Sequence, residues 1–344
     1  MILVTGGAGF IGSGFVHEWL ASGDEPLVNL DALTYAGTLA NLETVAADPR
    51  HRFVQGDIRD GDLVARLLSE HRVRAIVHFA AESHVDRSIH GPEAFVQTNV
   101  IGTFRLLEAA RGYWNGLSAG ERDAFRFILV STDEVYGTLE PHDPPFVETC
   151  PFRPNSPYAA SKAAGDHLVR SYFHTYRLPT ITTNGSNTFG PRQYPEKLIP
   201  LCLTRALAGE PLPIYGDGRQ VRDWLYVADH CRGVMRALAA GTPGETYAIG
   251  GGNELVNIDT IQILCRILDE ERPRPGGARH ADLITHVTDR PGHDRRYALD
   301  SRKAHEQLGW RPTESFPTAL RETVRWYLAN PGWLEHVGLR SRGG

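Results

Sequence analysis

Three polar side chains at the end of a predicted strand are the most informative residues of the sequence for chemistry. Thr132, Asp133 and Glu134 directly follow the run Phe127–Ser131, which predicts a buried strand. Two adjacent carboxyl groups in a partly dry site resist simultaneous ionisation, so one can act as an acid while the other acts as a base. The pair predicts proton transfer at this strand end, and a solvated strand end is the structural alternative. The sequence leaves open which carboxyl group carries the proton.

A second pair of residues has the spacing of a catalytic tyrosine and its supporting cation. Tyr158 and Lys162 are four residues apart, so that in a helix they lie on the same face. A phenol with its ordinary pKa of about 10 is a poor base at neutral pH. A neighbouring ammonium group favours the phenolate and lowers that pKa. The pair therefore predicts a tyrosine base, with an ordinary surface pair as the alternative.

The beginning of the sequence predicts a dinucleotide site. Gly6, Gly9 and Gly12 follow the apolar run Ile2–Val4 and open a helical pattern. Glycine is needed there because side chains would keep the backbone from a pyrophosphate at the helix N-terminus. Asp31 ends the next predicted strand, where its carboxylate can accept ribose hydroxyls and repel a 2′-phosphate. The sequence therefore predicts NAD rather than NADP. The positively charged nicotinamide ring of NAD would further favour a phenolate at Tyr158.

Strands and helices alternate along the first part of the chain. The predicted strands are Ile2–Val4, Leu27–Leu30, Phe53–Ile58, Ala75–Phe79 and Phe127–Ser131, with helices around Asp62–Glu70, Pro92–Gly112 and residues 157–176. This alternation predicts an α/β protein with a Rossmann-type doubly wound parallel sheet, whose ligands bind at the carboxyl ends of the strands.

The remaining residues predict a smaller C-terminal α/β domain that binds substrate. Its predicted helices are Ile258–Leu268, Arg302–Leu308 and Pro317–Leu328. We predict a dinucleotide-binding domain at residues 1–190, to which 231–250 return, a substrate domain at 191–230 and 253–330, and a tail at 331–344.

Composition excludes several classes of protein. The 344 residues carry a net charge of −5 without a basic tract, which argues against nucleic acid as a partner. The four cysteines are too widely spaced for a metal or redox motif, so we expect no metal and free thiols. With neither a signal-peptide pattern nor an apolar run of membrane-spanning length, the expected location is the cytoplasm.

Longer sequence blocks carry a resemblance to a known family. They are TGGAGFIGS (5–13), LTYAG (33–37), FAAESHVDRSI (79–89), STDEVYG (131–137), NSPYAASKAAGDHLV (155–169), PEKLIP (195–200), YGDG (215–218), VRDWLYVADHCRG (221–233) and DRPGHDRRYALD (289–300). In these blocks the chain resembles the extended short-chain dehydrogenase/reductase family of nucleotide-sugar enzymes, and in particular its 4,6-dehydratases. The similarity runs from Met1 to about Trp326.

The resemblance implies conversion of dTDP-glucose to dTDP-4-keto-6-deoxyglucose and water. It implies that Thr132 and Tyr158 contact the sugar 4-hydroxyl and that Tyr158, supported by the catalytic residue Lys162, takes its proton while tightly held NAD accepts the C4 hydride. The resulting ketone acidifies the proton on C5. By their matching positions, Glu134 removes that proton and Asp133 protonates the departing 6-hydroxyl, after which the hydride returns to C6.

The resemblance also implies a set of binding residues. The expected cofactor contacts are Gly6, Gly9, Phe10, Ile11, Gly12, Asp31, Thr34, Asp57, Ile58, Ala80, Ala81, Ser83, Asn99, Tyr158, Lys162 and Asn187. The expected substrate contacts are Ser83, Arg87, Thr132, Asn187, Glu196, Lys197, Leu198, Pro213, Tyr215, Arg222, Asn257, Arg290, His293 and Tyr297. Arg222 and Arg290 suit the diphosphate through charge-assisted hydrogen bonds, and Pro213 and Tyr215 would flank the base. The residues do not separate thymidine from uridine.

One segment departs from the family pattern, and other functions stay open. Asn184, Thr188 and Phe189 replace an arginine, an asparagine and a tyrosine common in the family, which can alter cofactor binding or sugar preference. The alternatives are another nucleotide-sugar reaction (4-epimerisation, decarboxylation or 5,6-dehydration) and a non-enzymatic, cofactor-sensing module. The resemblance further implies a homodimer formed through the helices at 93–113 and 157–176.

Overall fold

Seven parallel strands form the central sheet of the protein. The computed structural model describes residues 1–341, with side chains as far as Val337. Its strands are β1 Ile2–Thr5, β2 Leu27–Asp31, β3 His51–Gln55, β4 Ala75–His78, β5 Arg126–Thr132, β6 Thr180–Gly185, β7 Asn187–Phe189, β8 Leu212–Tyr215, β9 Val221–Tyr226, β10 Thr246–Ile249, β11 Glu254–Val256 and β12 Ile284–Val287. The large sheet has the order β10-β6-β5-β4-β1-β2-β3, which is doubly wound about β1 and β4, as predicted.

Helices cover both faces of this sheet. They are α1 Phe10–Ser22, α2 Gly61–Glu70, α3 Val85–His90, α4 Pro92–Phe95, α5 Thr103–Asn115, α6 Ala119–Ala124, α7 Pro157–Tyr176, α8 Leu198–Ala208, α9 Val227–Ala240, α10 Asn257–Glu271, α11 Arg302–Leu308, α12 Phe316–Ala329 and α13 Pro331–Ser341. Short 3-10 helices lie at Leu39–Val45, Asp133–Tyr136, Pro275–Gly277 and His280–Leu283, and a π-helical segment, Val96–Gly102, joins α4 to α5.

The first strand shows why the apolar run at the start of the sequence is buried. Successive side chains of a strand point to opposite faces of the sheet. Ile2 and Val4 pack with Phe15 of α1 on one face, whereas Leu3 packs with Leu106 of α5 on the other. Because helices cover both faces, all three strand residues are buried and the run need not alternate with polar residues.

A smaller unit with its own core follows the sheet. A three-stranded sheet (β11-β9-β7) and a two-stranded parallel sheet (β12-β8) pack with α8, α10, α12 and α13. The chain returns to the large sheet in between, because α9 packs on α1 and β10 pairs with β6. Since β7 pairs with β9, this unit takes up residues just before the boundary predicted at residue 190.

Two predicted segments differ from the structure. The third strand is His51–Gln55 rather than Phe53–Ile58, because Asp57 turns the chain by accepting a hydrogen bond from the Arg59 N–H, at 2.8 Å. The segment predicted as a tail, 331–344, contains helix α13. Trp333 is buried there and donates from Nε1 to Asn41 Oδ1 at 2.8 Å, and Asn41 Nδ2 donates to the Ala8 carbonyl at 2.9 Å. Residues 342–344 lie outside the described part of the chain.

None of the helices within residues 1–341 combines the length and the apolar character needed to cross a membrane.

Candidate active site

A cleft of about 820 Å³ lies at the carboxyl ends of the strands, between the large sheet and the smaller unit. Most of the predicted binding residues line it. The predicted cofactor residues on its wall are Gly6, Gly9, Phe10, Ile11, Gly12, Asp31, Thr34, Asp57, Ile58, Ala80, Ala81, Ser83, Tyr158, Lys162 and Asn187. The predicted substrate residues on its wall are Ser83, Thr132, Asn187, Glu196, Lys197, Leu198, Pro213, Tyr215, Arg222, Asn257, Arg290, His293 and Tyr297.

The glycine-rich turn leaves no room for side chains. Gly6 has φ +75°, and a Cβ there would lie 2.5 Å from the Ala80 nitrogen. A Cβ on Gly12 would lie 2.1 Å from the Gly6 carbonyl oxygen. Helix α1 then begins without a side-chain cap at Gly9 and without an acidic residue in its first turn. Its N–H groups and dipole therefore favour an anion, which fits the pyrophosphate of a dinucleotide.

Asp31 is held at the end of β2 by the backbone of this turn. Its Oδ2 accepts the Ala8 N–H and its Oδ1 accepts the Leu33 N–H, each at 2.8 Å. Burial raises the pKa of Asp31 in the protein, while these N–H groups oppose the rise. Each carboxylate oxygen has a second lone pair, so the fixed carboxylate can still accept the hydroxyls of a ribose.

Asn99, for which the resemblance implies a cofactor contact, lies outside the lining of the cleft. Its Nδ2 donates to the Glu82 carbonyl and to Ser161 Oγ, both at 2.9 Å, and its Oδ1 accepts the Glu82 N–H at 2.8 Å. These bonds tie the loop after β4 to helix α7. The Asn99 amide therefore holds this loop in position, and its contact with the cofactor stays a prediction.

The two carboxyl groups lie at the end of β5, where the chain turns into the 3-10 helix Asp133–Tyr136. Thr132 Oγ1 donates to Asp133 Oδ1 at 3.2 Å and accepts the Glu134 N–H at 3.3 Å. The Asp133 side chain is only 1% exposed, and its buried Oδ2 has no hydrogen-bond partner among the described residues. Such an atom is available to a proton or to a ligand in the cleft.

The surroundings of the two carboxyl groups differ. Burial, Glu134 and Asp223 raise the pKa of Asp133 well above its ordinary value. Burial also raises the pKa of Glu134, but the nearby cations Lys197, Arg290 and Arg222 oppose that rise. These surroundings favour the proton on Asp133 and the ionised form on Glu134.

Tyr158 and Lys162 lie in the first turns of α7, which begins with Pro157 and is capped by Ser156 Oγ accepting the Ala159 N–H. Burial and the Glu134 charge raise the pKa of Tyr158. Lys162 Nζ donates to the Val130 carbonyl at 2.9 Å, and burial lowers the lysine pKa itself. In the protein without a bound cofactor, the prediction that Lys162 lowers the pKa of Tyr158 is therefore wrong. Burial and the charge of Glu134 raise that pKa instead.

The substrate end of the cleft is rich in cations that are fixed in place. Arg222 lies over the ring of Tyr297 at 4.4 Å, and its Nη2 donates to the Asp294 carbonyl at 3.0 Å. Lys197 Nζ donates to the Ser83 carbonyl at 2.7 Å. These cations stand close to Glu134, and their N–H groups can also bind an anionic ligand such as a diphosphate.

Arg87, for which the resemblance implies a contact with the substrate, lies beside Tyr35 in the structure. It is exposed, it does not line the cleft, and its guanidinium carbon lies 3.8 Å from the centre of the Tyr35 ring. Tyr35 in turn donates to Glu196 Oε1 at 2.9 Å, across 161 residues of sequence. The sequence does not predict the contact between Tyr35, in the block LTYAG, and the cleft residue Glu196, because only the fold brings the two together.

Comparisons with known proteins agree with this geometry. The family model described as "GDP-mannose 4,6 dehydratase" matches residues 3–323. The dTDP-glucose 4,6-dehydratase of Xanthomonas campestris pv. campestris (strain B100) is 58% identical, over 97% of this chain and 95% of that protein. That of Escherichia coli (strain K12) is 51% identical, over 98% and 95%. The chain belongs to the dTDP-glucose 4,6-dehydratase family.

A solved structure of the dTDP-glucose 4,6-dehydratase family supports the same assignment. The DesIV enzyme from Streptomyces venezuelae, crystallised with NAD bound, superposes with a TM-score of 0.89 at 49% identity. The match covers 98% of this chain and 99% of DesIV.

Hydrogen bonds hold Asn184 and Thr188, in the segment that departs from the family pattern. Asn184 is fully buried, and its Nδ2 donates to Asp166 Oδ2 at 3.0 Å and to the Thr132 carbonyl at 3.2 Å. Its Oδ1 accepts the Tyr136 hydroxyl at 3.1 Å. Thr188 Oγ1 lies 2.7 Å from Nδ1 of the buried His230, which also lines the cleft. In this chain Asn184 therefore supports the strand end that carries Thr132.

Proposed function

We propose that the protein is an NAD-dependent lyase that converts dTDP-glucose to dTDP-4-keto-6-deoxyglucose and water. The observation that carries the proposal is the asymmetric carboxyl pair, in which Asp133 is buried beside other acids and Glu134 is surrounded by cations. Loss of a hydroxyl group next to an acidic C–H needs one protonated and one ionised carboxyl group within reach of the same sugar.

The cofactor site is supported by the glycine turn and by the carboxylate of Asp31. Gly6 and Gly12 allow the backbone to approach a pyrophosphate, and Asp31 accepts hydroxyls of the adenosine ribose. When bound, NAD supplies reversible hydride acceptance. Thr132 and Tyr158, which also line the cleft, would hold the sugar 4-hydroxyl where it can be oxidised.

Proton removal from the 4-hydroxyl falls to Tyr158, with Thr132 as its hydrogen-bonding neighbour. Because burial raises the pKa of this phenol, its deprotonation depends on the positive charge that the oxidised cofactor brings to this end of the cleft.

Elimination uses the carboxyl pair. Glu134 takes the proton from C5, the electron pair of that bond forms the C5–C6 double bond, and Asp133 gives its proton to the oxygen that leaves C6 as water. A hydride then adds to C6 and a proton to C5, so the overall reaction involves no net change in redox state.

The nucleotide part of the substrate is assigned to the cationic end of the cleft. Arg222, Arg290 and Lys197 would bind the diphosphate, and Pro213 and Tyr215 would lie beside the base. We propose thymidine as the nucleoside, in agreement with the names of the relatives.

Other reactions use less of this site. A 4-epimerase needs the tyrosine but has no use for a protonated and an ionised carboxyl group side by side. A cofactor-sensing module without catalysis has no use for the pair Tyr158 and Lys162.

We also propose that the enzyme works as a homodimer. Of the six exposed large hydrophobic residues among those described, Val96, Ile101 and Tyr176 lie on the two helices expected to form the interface.

A cytoplasmic location is supported by the four cysteines, all of which lie among the described residues as free thiols.

The deciding experiment is incubation of the purified protein with dTDP-glucose and, separately, with UDP-glucose. We expect a product that has lost one water by mass and that absorbs in alkali, as 4-keto-6-deoxy sugar nucleotides do. With deuterium on C4 of glucose, the label should appear in the product's methyl group. An epimer of unchanged mass, or a methyl group without label, would reject the proposal.

A further inference from the structure

Asp86 connects the two sides of the cleft. It lies at the start of α3, in the loop region that follows β4, and its carboxylate contacts two residues of the smaller unit. Oδ2 accepts the Tyr215 hydroxyl at 3.2 Å and Oδ1 accepts Arg290 Nη1 at 3.2 Å. The partners are 129 and 204 residues away in sequence, and all three residues line the cleft.

Arg290 still has donors to offer after this contact. Asp86 uses Nη1 only, and the buried Nε of Arg290 has no hydrogen-bond partner among the described residues. A buried donor without a partner is costly in the free protein and points to a ligand that completes it. Because an arginine side chain has many rotamers, a carboxylate that fixes its guanidinium lowers the entropy lost when an anion binds.

We infer that Asp86 is a positioning residue for the nucleotide, holding Arg290 and Tyr215 in the orientation that receives the diphosphate and the base. The inference rests on the proposed nucleotide-sugar substrate. Asp86 acts through its two partners and does not touch the reacting sugar, so it affects binding of the nucleotide and not the chemical step.

Calorimetric titration of dTDP into the NAD-loaded enzyme tests this role. Loss of one charge-assisted hydrogen bond that fixes an arginine corresponds to about a tenfold change in affinity. We expect Asp86→Ala to weaken dTDP binding about tenfold and to raise KM for dTDP-glucose by a similar factor, with kcat within about twofold of the unchanged enzyme. The dTDP affinity of Asp86→Asn should lie between those of Asp86→Ala and the unchanged enzyme, because asparagine keeps an acceptor for Tyr215 but loses the charge.

A double-mutant comparison separates positioning from a general effect on the cleft. The Arg290→Ala/Tyr215→Phe background removes both hydrogen-bond donors that Asp86 holds, so Asp86→Ala should change dTDP affinity there less than about twofold. Asp123→Ala removes an exposed carboxylate outside the cleft and serves as the matched control. The amount of NAD released per protein on denaturation should be equal in all variants. This measurement shows that the variants are folded.

Three results would overturn the inference. Unchanged or tighter dTDP binding in Asp86→Ala and Asp86→Asn would mean that Asp86 does not support the nucleotide. A full tenfold loss that persists in the Arg290→Ala/Tyr215→Phe background would mean that it acts by another route. An unchanged enzyme that binds no dTDP at all would reject the proposed substrate as well, which distinguishes that failure from the other two.

Discussion

The different charges around Asp133 and Glu134 determine how two adjacent carboxyl groups can share one reaction. Asp133 faces Glu134 and Asp223 in a buried position, whereas Glu134 faces Lys197 and the two cleft arginines. Neither residue type nor adjacency in the sequence decides which group holds the proton. The sequence predicted the pair and its chemistry, but the neighbours that divide the roles come from segments some 60 to 160 residues further along the chain.

The carboxyl pair predicts a bell-shaped dependence of turnover on pH. Activity should fall in acid as Glu134, whose pKa is raised from 4.5, takes up a proton, and should fall in alkali as Asp133 loses its proton. Asp133→Asn should slow elimination about 10²–10⁴-fold, leave oxidation at C4 intact and abolish the alkaline decline. Stopped-flow absorbance of the reduced nicotinamide, recorded across pH, measures both effects. An alkaline decline that survives in Asp133→Asn would assign it to another group.

Glu134→Gln should slow the exchange of the C5 proton with solvent by a similar factor. Glu134 is the ionised member of the pair, and an amide cannot accept that proton. Exchange is measured by deuterium uptake at C5 of the product, with dTDP-glucose consumption followed in parallel. Normal exchange in this variant would contradict the role of Glu134 as base.

Asn184 predicts an effect on stability. Asn184→Ala leaves Asp166 Oδ2 and the Tyr136 hydroxyl without their buried partner, which should lower the free energy of unfolding by about 2 kcal/mol. Asn115→Ala, at an exposed position at the end of α5, should change it by less than about 0.5 kcal/mol. Denaturant unfolding of both variants gives the comparison, and equal stability would mean that water replaces the lost contacts.

At the scale of elements, the strand ends and the turns between strands and helices form the cofactor wall. The regular spacing of apolar residues made most of the strands and α7 predictable. Tyr158, Lys162 and the glycines were predictable as well, because each motif depends on residues that are close together in sequence. The bounds of β3 were not predictable, since a turn at Asp57 ends the strand early. Asn99 also could not be assigned from spacing, because its amide is taken up by a loop 17 residues away in sequence.

The glycine turn predicts that Gly12→Ala prevents cofactor binding. A methyl group at this position would lie 2.1 Å from the Gly6 carbonyl, so the turn must move away from the pyrophosphate. We expect loss of most co-purified NAD and at least about tenfold weaker NAD binding by calorimetry. Gly120→Ala in α6, where nothing lies within 4 Å of the added carbon, should keep full NAD content and serves as the control. Retained NAD in Gly12→Ala would show that the turn can relax.

At the scale of the whole molecule, contacts between distant segments complete the cleft. Asp86 reaches Tyr215 and Arg290, and Tyr35 reaches Glu196, over separations of 129 to 204 residues. No local pattern encodes such pairs, which is why the cleft residue Asp86 was absent from the predicted site and the contact of Tyr35 with Glu196 was not predicted. Their sequence neighbours were nevertheless in the predicted site, because loops after parallel strands converge at one edge of the sheet.

The proposed homodimer predicts that a charge on its apolar helices separates the subunits. Ile101 is 38% exposed, so Ile101→Glu should leave the isolated fold intact while burying an unpaired carboxylate in the interface. Light scattering after size exclusion should change from a dimer to a monomer mass. Leu39→Glu, at a residue that is also exposed but lies outside these helices, should remain dimeric. A dimer in Ile101→Glu would place the interface elsewhere.

The contact of Trp333 with Asn41 has a consequence for the order of assembly. Asn41 fixes the Ala8 carbonyl within the glycine turn, yet its own amide oxygen is satisfied by an indole 292 residues further along the chain. During synthesis the turn leaves the ribosome long before Trp333 has been made. The nascent polypeptide therefore emerges without the hydrogen bond from Trp333 to Asn41, and the glycine turn gains its full set of contacts only late in translation.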